Sequence, residues 1–256
     1  MALRDRRIIV TGGASGIAAA AVRAFARAGA RVASLDVNDE MGQRASAEAA
    51  ALGGAVCYHH CDVASRAEVD DTFARAVAAL GGLDVLVHAA GVERGAAAEA
   101  ITDADWDTVF DVNAKGTLHT NQAAFGYLRE RGGRILNVGS GAAIRGQRGA
   151  AHYAAAKAAV MAWTRTVAQE WARHGITVNA IVPAIWTPMY DAHRARMSDQ
   201  ERALHDLQMQ YVVPLGGRLG DPERDLAPVL VFLAGDDARF ITGQAIAVDG
   251  GMVMLG

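Results

Sequence analysis

Residues 11–18 read Thr-Gly-Gly-Ala-Ser-Gly-Ile-Ala, and the runs on either side of this stretch show what it does. The apolar run Arg7–Thr11 is typical of a buried strand, and the Ala-rich run Ile17–Ala28, closed by Gly29, is typical of a helix. A glycine-rich turn between a strand and a helix lets the backbone approach a pyrophosphate. We therefore expect four positions of this turn to bind a dinucleotide: Gly12, Ser15, Gly16 and Ile17.

The rest of the chain repeats this alternation of short apolar runs and helix-length segments. Six more strand candidates follow: Arg31–Asp36, Val56–Asp62, Leu83–Ala89, Gly133–Ser140, Thr177–Pro183 and Ala245–Asp249. Helical stretches separate them, among them Arg66–Leu80 and residues 151–174. Strands separated by helices of this length imply βαβ units. The sequence therefore predicts an α/β fold, a Rossmann-like three-layer sandwich with a parallel sheet of about seven strands and helices on both faces.

No linker, repeat or low-complexity tract divides the 256 residues, so we expect one dinucleotide-binding and catalytic domain over residues 1–256. One segment interrupts the alternation. From Thr187 to about Leu219 the chain is polar and contains Met and Arg. A long insertion late in a compact domain is often a lid or a binding loop, and we expect this one to cover the substrate.

Charge and hydropathy argue against nucleic-acid binding and against insertion into a membrane. Lys and Arg number 25 against 28 Asp and Glu, and the resulting net charge of −3 offers no basic footprint for nucleic acid. No apolar stretch reaches about 18 residues, so we expect neither a membrane span nor a signal peptide. The cytoplasm is the default location.

The segment Cys57–Cys61 reads Cys-Tyr-His-His-Cys and at first resembles a metal cluster. In a strand the two sulfurs would lie roughly 13 Å apart, because the rise is about 3.3 Å per residue. That separation is too large for a shared zinc ion or for a disulfide. We expect buried or half-buried strand residues here, and no metal.

A carboxylate at the end of the second predicted strand, Asp36, bears on the choice of dinucleotide. Such a carboxylate accepts hydrogen bonds from the adenosine ribose hydroxyls and repels a 2′-phosphate, which favours NAD over NADP. A solvated strand end or a helix cap is the plain alternative. Asp62, followed by Val63, comes after the third strand and suits an adenine amino group or, nearly as well, a helix cap.

Tyr153 and Lys157 stand four residues apart, on one face of a predicted helix. Carbonyl reduction by hydride leaves an alkoxide that must be protonated, and alcohol oxidation requires the reverse. A neighbouring ammonium lowers the pKa of a tyrosine towards a useful range. Ser140, at the end of the fifth strand, can hydrogen-bond the substrate oxygen. On an Ala-rich helix, this Tyr–Lys spacing alone also arises by chance.

Together these motifs resemble the short-chain dehydrogenase/reductase family, which carries T-G-x-x-x-G-x-G at the turn, D-V after the third strand and Y-x-x-x-K after a serine. The resemblance spans nearly the whole chain. Three positions depart from the pattern. Ala18 replaces the last glycine of the turn, His88 replaces an asparagine of the fourth-strand motif N-A-A-G, and Ala184 replaces the glycine of the N-x-x-x-P-G motif after the sixth strand. His88 either alters hydrogen bonding near the nicotinamide ribose or satisfies the strand, and we favour the second.

This resemblance implies an oxidoreductase with a nicotinamide cofactor, here NAD, and a homotetramer. It implies that Asn113 joins Ser140, Tyr153 and Lys157 in a catalytic tetrad and holds a water for proton relay. It also implies that Lys157 binds the nicotinamide ribose. The other cofactor contacts that it implies are Asp62, Val63, Ala90, Gly91, Pro183, Ile185 and Thr187.

Substrate contacts are expected after Ser140, around Tyr153 and along the insertion. The candidates are Ala142, Ile144, His152, Trp186, Met189 and Tyr190, with Glu93, Arg94, Arg145, Gln147 and Tyr211 near them. Their apolar and aromatic character indicates a mainly hydrophobic secondary alcohol or ketone as the small-molecule substrate. An arginine at 145, 194 or 196 could instead meet an anionic group. Two alternatives remain open: a 3-oxoacyl-thioester (acyl carrier protein) reductase, and a non-catalytic dinucleotide-binding sensor.

Overall fold

The computed structural model describes residues 3–254, and at its centre lies a parallel β-sheet. In this part of the chain the sheet has seven strands. They are β1 (Arg7–Thr11), β2 (Arg31–Asp36), β3 (Ala55–His60), β4 (Val85–His88), β5 (Gly133–Val138), β6 (Ile176–Pro183) and β7 (Ala245–Val248). Their order across the sheet is β3-β2-β1-β4-β5-β6-β7, and all neighbours are parallel. Because the chain order reverses between β1 and β4, a crevice opens at the carboxyl ends of the strands.

The α/β class predicted from the sequence is confirmed, with small differences at the strand ends. β3 ends at His60 rather than at Asp62, and β5 ends at Val138 rather than at Ser140. Both residues turn their side chains back onto the backbone, since Asp62 accepts a hydrogen bond from Ala64 N and Ser140 accepts one from Ala142 N. Short turns of this kind end a strand and leave the residue at the crevice.

Ten α-helices of the described chain flank the sheet or follow it. They are α1 (Gly16–Arg27), α2 (Asp39–Ala50), α3 (Arg66–Leu80), α4 (Asp103–Phe110), α5 (Gly116–Leu128), α6 (Ala142–Arg145), α7 (Ala151–Trp171), α8 (Pro188–Arg194), α9 (Asp199–Val212) and α10 (Ala227–Ala234). Asn38 and Ser65 accept hydrogen bonds from backbone amides in the first turns of α2 and α3. Gly81 closes α3 with a φ of +78°, as its position in the sequence predicts.

Two hydrophobic cores form because successive side chains of a strand point to opposite faces of the sheet. In β1, Ile8 packs on one face with Phe25 of α1 and Leu230 of α10. Ile9 packs on the other face with Phe73 of α3, and α5 and α7 cover the same side. The sheet is thus buried between two helical layers, as a parallel sheet requires.

The segment predicted as a lid or binding loop contains two helices, α8 and α9, which fill most of residues 187–219. α9 begins with a capping box, in which Ser198 and Glu201 each bond to the other's backbone N–H. Within residues 3–254, no helix is both long and apolar enough to cross a bilayer.

Candidate active site

One cavity of about 570 Å³ lies at the carboxyl ends of the strands. It holds all the residues predicted to bind the cofactor and all four predicted catalytic residues. They are Gly12, Ser15, Gly16, Ile17, Asp36, Asp62, Val63, Ala90, Gly91, Asn113, Ser140, Tyr153, Lys157, Pro183, Ile185 and Thr187. Residues spread over more than 170 positions of sequence meet here because parallel strands end at one edge of the sheet.

The glycine-rich turn has the geometry that a pyrophosphate requires. Gly12 and Gly16 adopt φ values of +77° and +56°, which favour glycine. A Cβ on Gly12 would lie 2.9 Å from the backbone of Ala90, so no side chain fits there. Ser15 is the N-cap of α1, and its side chain makes no capping hydrogen bond to any described residue. The first N–H groups of α1 therefore remain available to an anion, which fits a dinucleotide phosphate.

Asp36 lies at the end of β2 and lines the cavity. Its carboxylate accepts hydrogen bonds from Ala14 N at 3.0 Å and from Asn38 N at 2.9 Å. Asn38, rather than Asp36, caps α2, so Asp36 is not the N-cap of this helix. The carboxylate is thus held by the glycine-rich turn and faces the same cavity.

Asp62 and Val63 line the cavity after β3. Asp62 accepts a hydrogen bond from Ala64 N at 2.9 Å, and Ser65 is the residue that caps α3. Asp62 is therefore not the helix cap that the sequence left open. Val63 O lies 3.0 Å from His119 Nδ1, which ties this turn to α5.

Ser140 and Tyr153 form the reacting end of the cavity. Both residues line the cavity. Burial raises the pKa of Tyr153 to about 12, the neighbouring Ser140 hydroxyl opposes this rise, and the charge of Glu93 adds to it. From the sequence we expected the ammonium of Lys157 to lower the pKa of Tyr153. In this structure burial has the larger effect, and the pKa is raised.

Lys157 lies one helical turn beyond Tyr153, with its Nζ atom 5.9 Å from the centroid of the tyrosine ring. Nζ donates a hydrogen bond to Val138 O at 2.9 Å, which holds the side chain against the end of β5. Burial lowers the pKa of Lys157 to about 8. A Cβ on Gly91 would lie 3.3 Å from this Nζ, so the glycine leaves room for the ammonium.

Asn113 lies in a π-helical turn, Asp111–Lys115, between α4 and α5. It is fully buried, and its amide nitrogen donates to Val92 O at 2.8 Å and to Val109 O at 2.9 Å. Its amide oxygen accepts from Val92 N at 3.2 Å. The side chain therefore holds the loop after β4 in place, and π-turns of this kind often mark functional sites.

Three cofactor candidates lie at or just after the end of β6. Pro183 pairs in register with Val248, and Ile185 forms a bridge with Gly220. A Cβ on Gly16 would lie 3.8 Å from the side chain of Thr187, so the start of the insertion closes over the glycine-rich turn. The cavity is thereby bounded on the side opposite the sheet.

The predicted substrate residues are only partly brought together. Met189 lines the cavity, whereas five other candidates do not: Ala142, Ile144, His152, Trp186 and Tyr190. Ala142 and His152 are buried, and Ile144 is partly exposed. Trp186 donates to Asp191 at 2.8 Å, and the hydroxyl of Tyr190 lies 2.7 Å from His205 Nε2. The two aromatic rings thus belong to the packing of the insertion.

Sequence reasoning missed several residues of the cavity wall, among them Cys61, Val92, Val112, Val138 and Gly139. No sequence motif identifies them, because they contribute only apolar surface or backbone atoms to the cavity wall. Cys61 was placed in the third strand and instead follows it, buried, with a pKa raised by burial to about 12. Both cysteines of the chain are free.

A parallel sheet with an anion-binding turn and a Ser–Tyr–Lys cluster in one crevice defines a dinucleotide-binding α/β protein. A family model described as Enoyl-(Acyl carrier protein) reductase matches residues 12–253. The chain belongs to the short-chain dehydrogenase/reductase family. It is an oxidoreductase of the kind that uses a nicotinamide dinucleotide.

Three relatives show the range of this family. The (2S)-((R)-hydroxy(phenyl)methyl)succinyl-CoA dehydrogenase subunit BbsD of Thauera aromatica is 38% identical, covering 98% of each chain. The 3-oxoacyl-(acyl-carrier-protein) reductase FabG of Thermotoga maritima is 37% identical, covering 99% of this chain and 100% of the relative. A crystal structure of levodione reductase has a TM-score of 0.92 at 31% identity, covering 97% of this chain and 98% of that one. The fold is thus common to relatives with different substrates.

Proposed function

We propose that this protein is an NAD(H)-dependent oxidoreductase that interconverts a secondary alcohol and a ketone, with Tyr153 as the acid/base. One observation carries the proposal: Ser140, Tyr153 and the ammonium of Lys157 line the same cavity as Asp36. The first three groups suit proton transfer to or from an oxygen atom. The carboxylate suits a ribose with free hydroxyls.

The dinucleotide, when bound, supplies or accepts the hydride. Ser140 Oγ hydrogen-bonds the oxygen of the substrate and stabilises the charge that develops on it. Tyr153 removes the hydroxyl proton during oxidation and returns it during reduction. The positive charge of Lys157 stabilises the phenolate form of Tyr153, which offsets part of the cost of burial. Asn113 holds the loop after β4 against this group.

The charges near the reacting end favour a neutral substrate. Glu93 is close enough for its charge to raise the pKa of Tyr153, and its carboxylate accepts a hydrogen bond from Gln147 at 2.9 Å. Arg194, one of the arginines that could meet an anion, is paired with Asp206 instead. A carboxylate or phosphate next to Tyr153 would therefore meet repulsion from Glu93. We infer a mainly apolar, uncharged alcohol or ketone.

A 3-oxoacyl-thioester reductase is the second candidate. The similarity to FabG supports it, since that relative is named for this activity. Asp36 argues against it, because a carboxylate at this position disfavours NADPH. A non-catalytic sensor is the weakest of the three, because Asn113, Ser140, Tyr153 and Lys157 are all present in the cavity.

A cofactor-linked absorbance screen tests the proposal. The purified protein is given NAD or NADP with a panel of secondary alcohols, and NADH or NADPH with ketones and a 3-oxoacyl thioester. Turnover of neutral alcohols with NAD is the expected result. Turnover of the thioester alone, with NADPH, would replace this proposal by the second candidate.

We also propose that the chain forms a homotetramer, as the resemblance to the family implies. Two features support a contact surface between copies of the chain: β7 is an edge strand of the sheet, and Phe240 before it is 99% exposed. Sedimentation velocity on the purified protein tests the oligomeric state. A monomer at micromolar concentration would contradict it.

A further inference from the structure

His88, at the end of β4, is a buried polar residue that the proposed reaction does not use. Its side chain is 2% exposed. Its Nδ1 atom lies 3.0 Å from Thr11 Oγ1 and 3.0 Å from Thr120 Oγ1, so the ring is held between β1 and α5. This position is one of those at which the sequence departs from the family pattern.

The hydrogen bonds around His88 favour one tautomer. Thr11 Oγ1 accepts from the backbone amides of Ala89 and Ala90, each at 3.2 Å, so its hydroxyl hydrogen is free to donate to His88 Nδ1. With the proton on Nδ1 instead, the ring would donate to Thr120 Oγ1, whose own hydrogen reaches Gly116 O at 2.9 Å, and the Thr11 hydroxyl would lose its acceptor. We take the neutral ring to carry its proton on Nε2, which keeps the bond from Thr11.

Burial, together with the charge of Lys157, lowers the pKa of His88 to about 3, so the ring is neutral at ordinary pH. Its Nε2–H is buried and has no hydrogen-bond partner among residues 3–254. A buried donor without a partner is costly, and native proteins usually satisfy such groups, often with an ordered water. This donor calls for an acceptor that side chains do not supply.

The ammonium of Lys157 also needs a further hydrogen-bond acceptor. It has three protons, and the hydrogen bond to Val138 O uses one of them. His88 pairs in register with Asn137 of β5, and the next residue, Val138, accepts the hydrogen bond from Lys157, so the two groups lie at the same ends of neighbouring strands. The charge of Lys157 also acts on the ring of His88. The oxygen of one water has two lone pairs, enough to accept a proton from each.

We propose that His88 Nε2 and Lys157 Nζ donate to one shared buried water, which makes His88 a positioning residue for Lys157. This inference rests on the proposed role of Lys157 in catalysis. The water solvates the ammonium and keeps it charged in its buried position. Without the water, the pKa of Lys157 falls, less positive charge faces Tyr153, and the phenolate forms only at higher pH.

The pH profile of alcohol oxidation tests this role. We expect His88→Asn, which leaves an acceptor for Thr11 but has a shorter side chain, to move the acid limb of kcat to higher pH by roughly one unit. His88→Gln, which is longer, should recover part of the shift. Thr120→Val is the matched control: it alters the same network but keeps Nε2–H, so the limb should stay in place. An unchanged limb in a folded His88→Asn protein would overturn the proposal.

Two measurements give a readout besides activity. Nitrogen NMR of the histidine rings should show the Nε2–H tautomer for His88, and a crystal structure should show a water about 2.7–3.2 Å from both nitrogen atoms. The shared water would be refuted by an Nδ1–H tautomer of His88. It would also be refuted by a well-ordered crystal structure with no water between His88 Nε2 and Lys157 Nζ. If the wild type oxidises no alcohol with either cofactor, the proposed function fails, while these two measurements still decide whether the water exists.

Discussion

Single residues mark the two ends of the cavity, with Asp36 at the adenosine end and Tyr153 at the reacting end. Asp36 is held by the amides of Ala14 and Asn38, so its carboxylate keeps one orientation. Tyr153 lies beside Ser140, and burial raises its pKa to about 12. Under the proposed function, Asp36 governs which dinucleotide binds, and Tyr153 governs the proton transfer.

Replacing Asp36 by Ala should narrow the preference for NAD over NADP by at least about tenfold, or about 1.4 kcal/mol, because the 2′-phosphate no longer meets a carboxylate. The ratio of kcat/KM values for the two cofactors measures this. Glu40→Ala is the control, since it removes an exposed carboxylate from the nearby helix α2, outside the cavity. An equal change in both variants would assign the preference to overall charge rather than to Asp36.

The residues proposed to bind the cofactor could be placed in one cavity from the sequence, because most of them lie in recognisable motifs at or after strand ends. Most of the proposed substrate residues could not be placed in this way. Trp186 and Tyr190 were expected to face the substrate, but their rings pack with the guanidinium of Arg194, 5.3 Å and 5.8 Å away. That packing depends on contacts between α8 and the helix after it, which no local pattern encodes. The expected effect of Lys157 on Tyr153 likewise depends on burial, which the sequence does not state.

At the scale of elements, α8 and α9 act as one unit over the cavity. Arg194 of α8 is paired with Asp206 of α9, and Arg194 Nη2 donates to Asp206 Oδ2 at 2.9 Å. The start of α8 supplies Pro188 and Met189 to the cavity wall. The insertion was expected to be a lid or a binding loop because it is long and interrupts the alternation of strands and helices. Ser198 followed by Glu201 three residues later is the capping pattern that could have predicted α9.

We expect Asp206→Asn to loosen α8 and raise the KM for the alcohol about two- to fivefold, since an exposed ion pair contributes only a small stabilisation. The NAD affinity and the saturated rate should change little, because the glycine-rich turn and Tyr153 are untouched. Steady-state kinetics measure the three quantities. Asp199→Asn, which lies on α9 away from Arg194, is the control. An unchanged KM in the Asp206 variant would show that α8 does not need this pair.

For the molecule as a whole, one ion pair links the beginning of the first strand to the beginning of the fourth. Arg7 donates to Asp84 through its backbone N at 2.9 Å and its Nε at 2.8 Å. Burial raises the pKa of Asp84, but the hydrogen bonds from Arg7 outweigh burial and hold that pKa below its usual value. The pair therefore stabilises the junction of β1 and β4 at their amino-terminal ends, at the edge of the sheet opposite the cavity.

Asp84→Asn should lower the free energy of unfolding at pH 7 by about 1–3 kcal/mol, the usual cost of breaking a partly buried charged hydrogen bond. Because the folded-state pKa of Asp84 is lowered, its stabilisation is complete above about pH 4 and is lost as the pH falls further. Urea unfolding of both proteins between pH 7 and pH 3 measures this. A stability difference that grows as the pH falls would contradict the sign.

The parallel sheet and both helical layers were predictable, because the strands are continuous apolar runs separated by helix-length segments. The order of the strands was not predicted, since local patterns do not encode it. Positions such as Val92 and Val138, which line the cavity with backbone and methyl groups, could not be predicted in this way. They acquire a role only from the tertiary fold.

The most direct test of the central claim compares the wild type with Tyr153→Phe in NAD-dependent alcohol oxidation, with NADH affinity measured in parallel. We expect turnover of Tyr153→Phe to fall by about 10²- to 10⁴-fold, the range expected for loss of a general acid/base. Its NADH affinity should stay within about threefold of the wild-type value. A variant that retains wild-type turnover, or one that loses turnover only because it no longer binds NADH, would contradict the assignment of Tyr153.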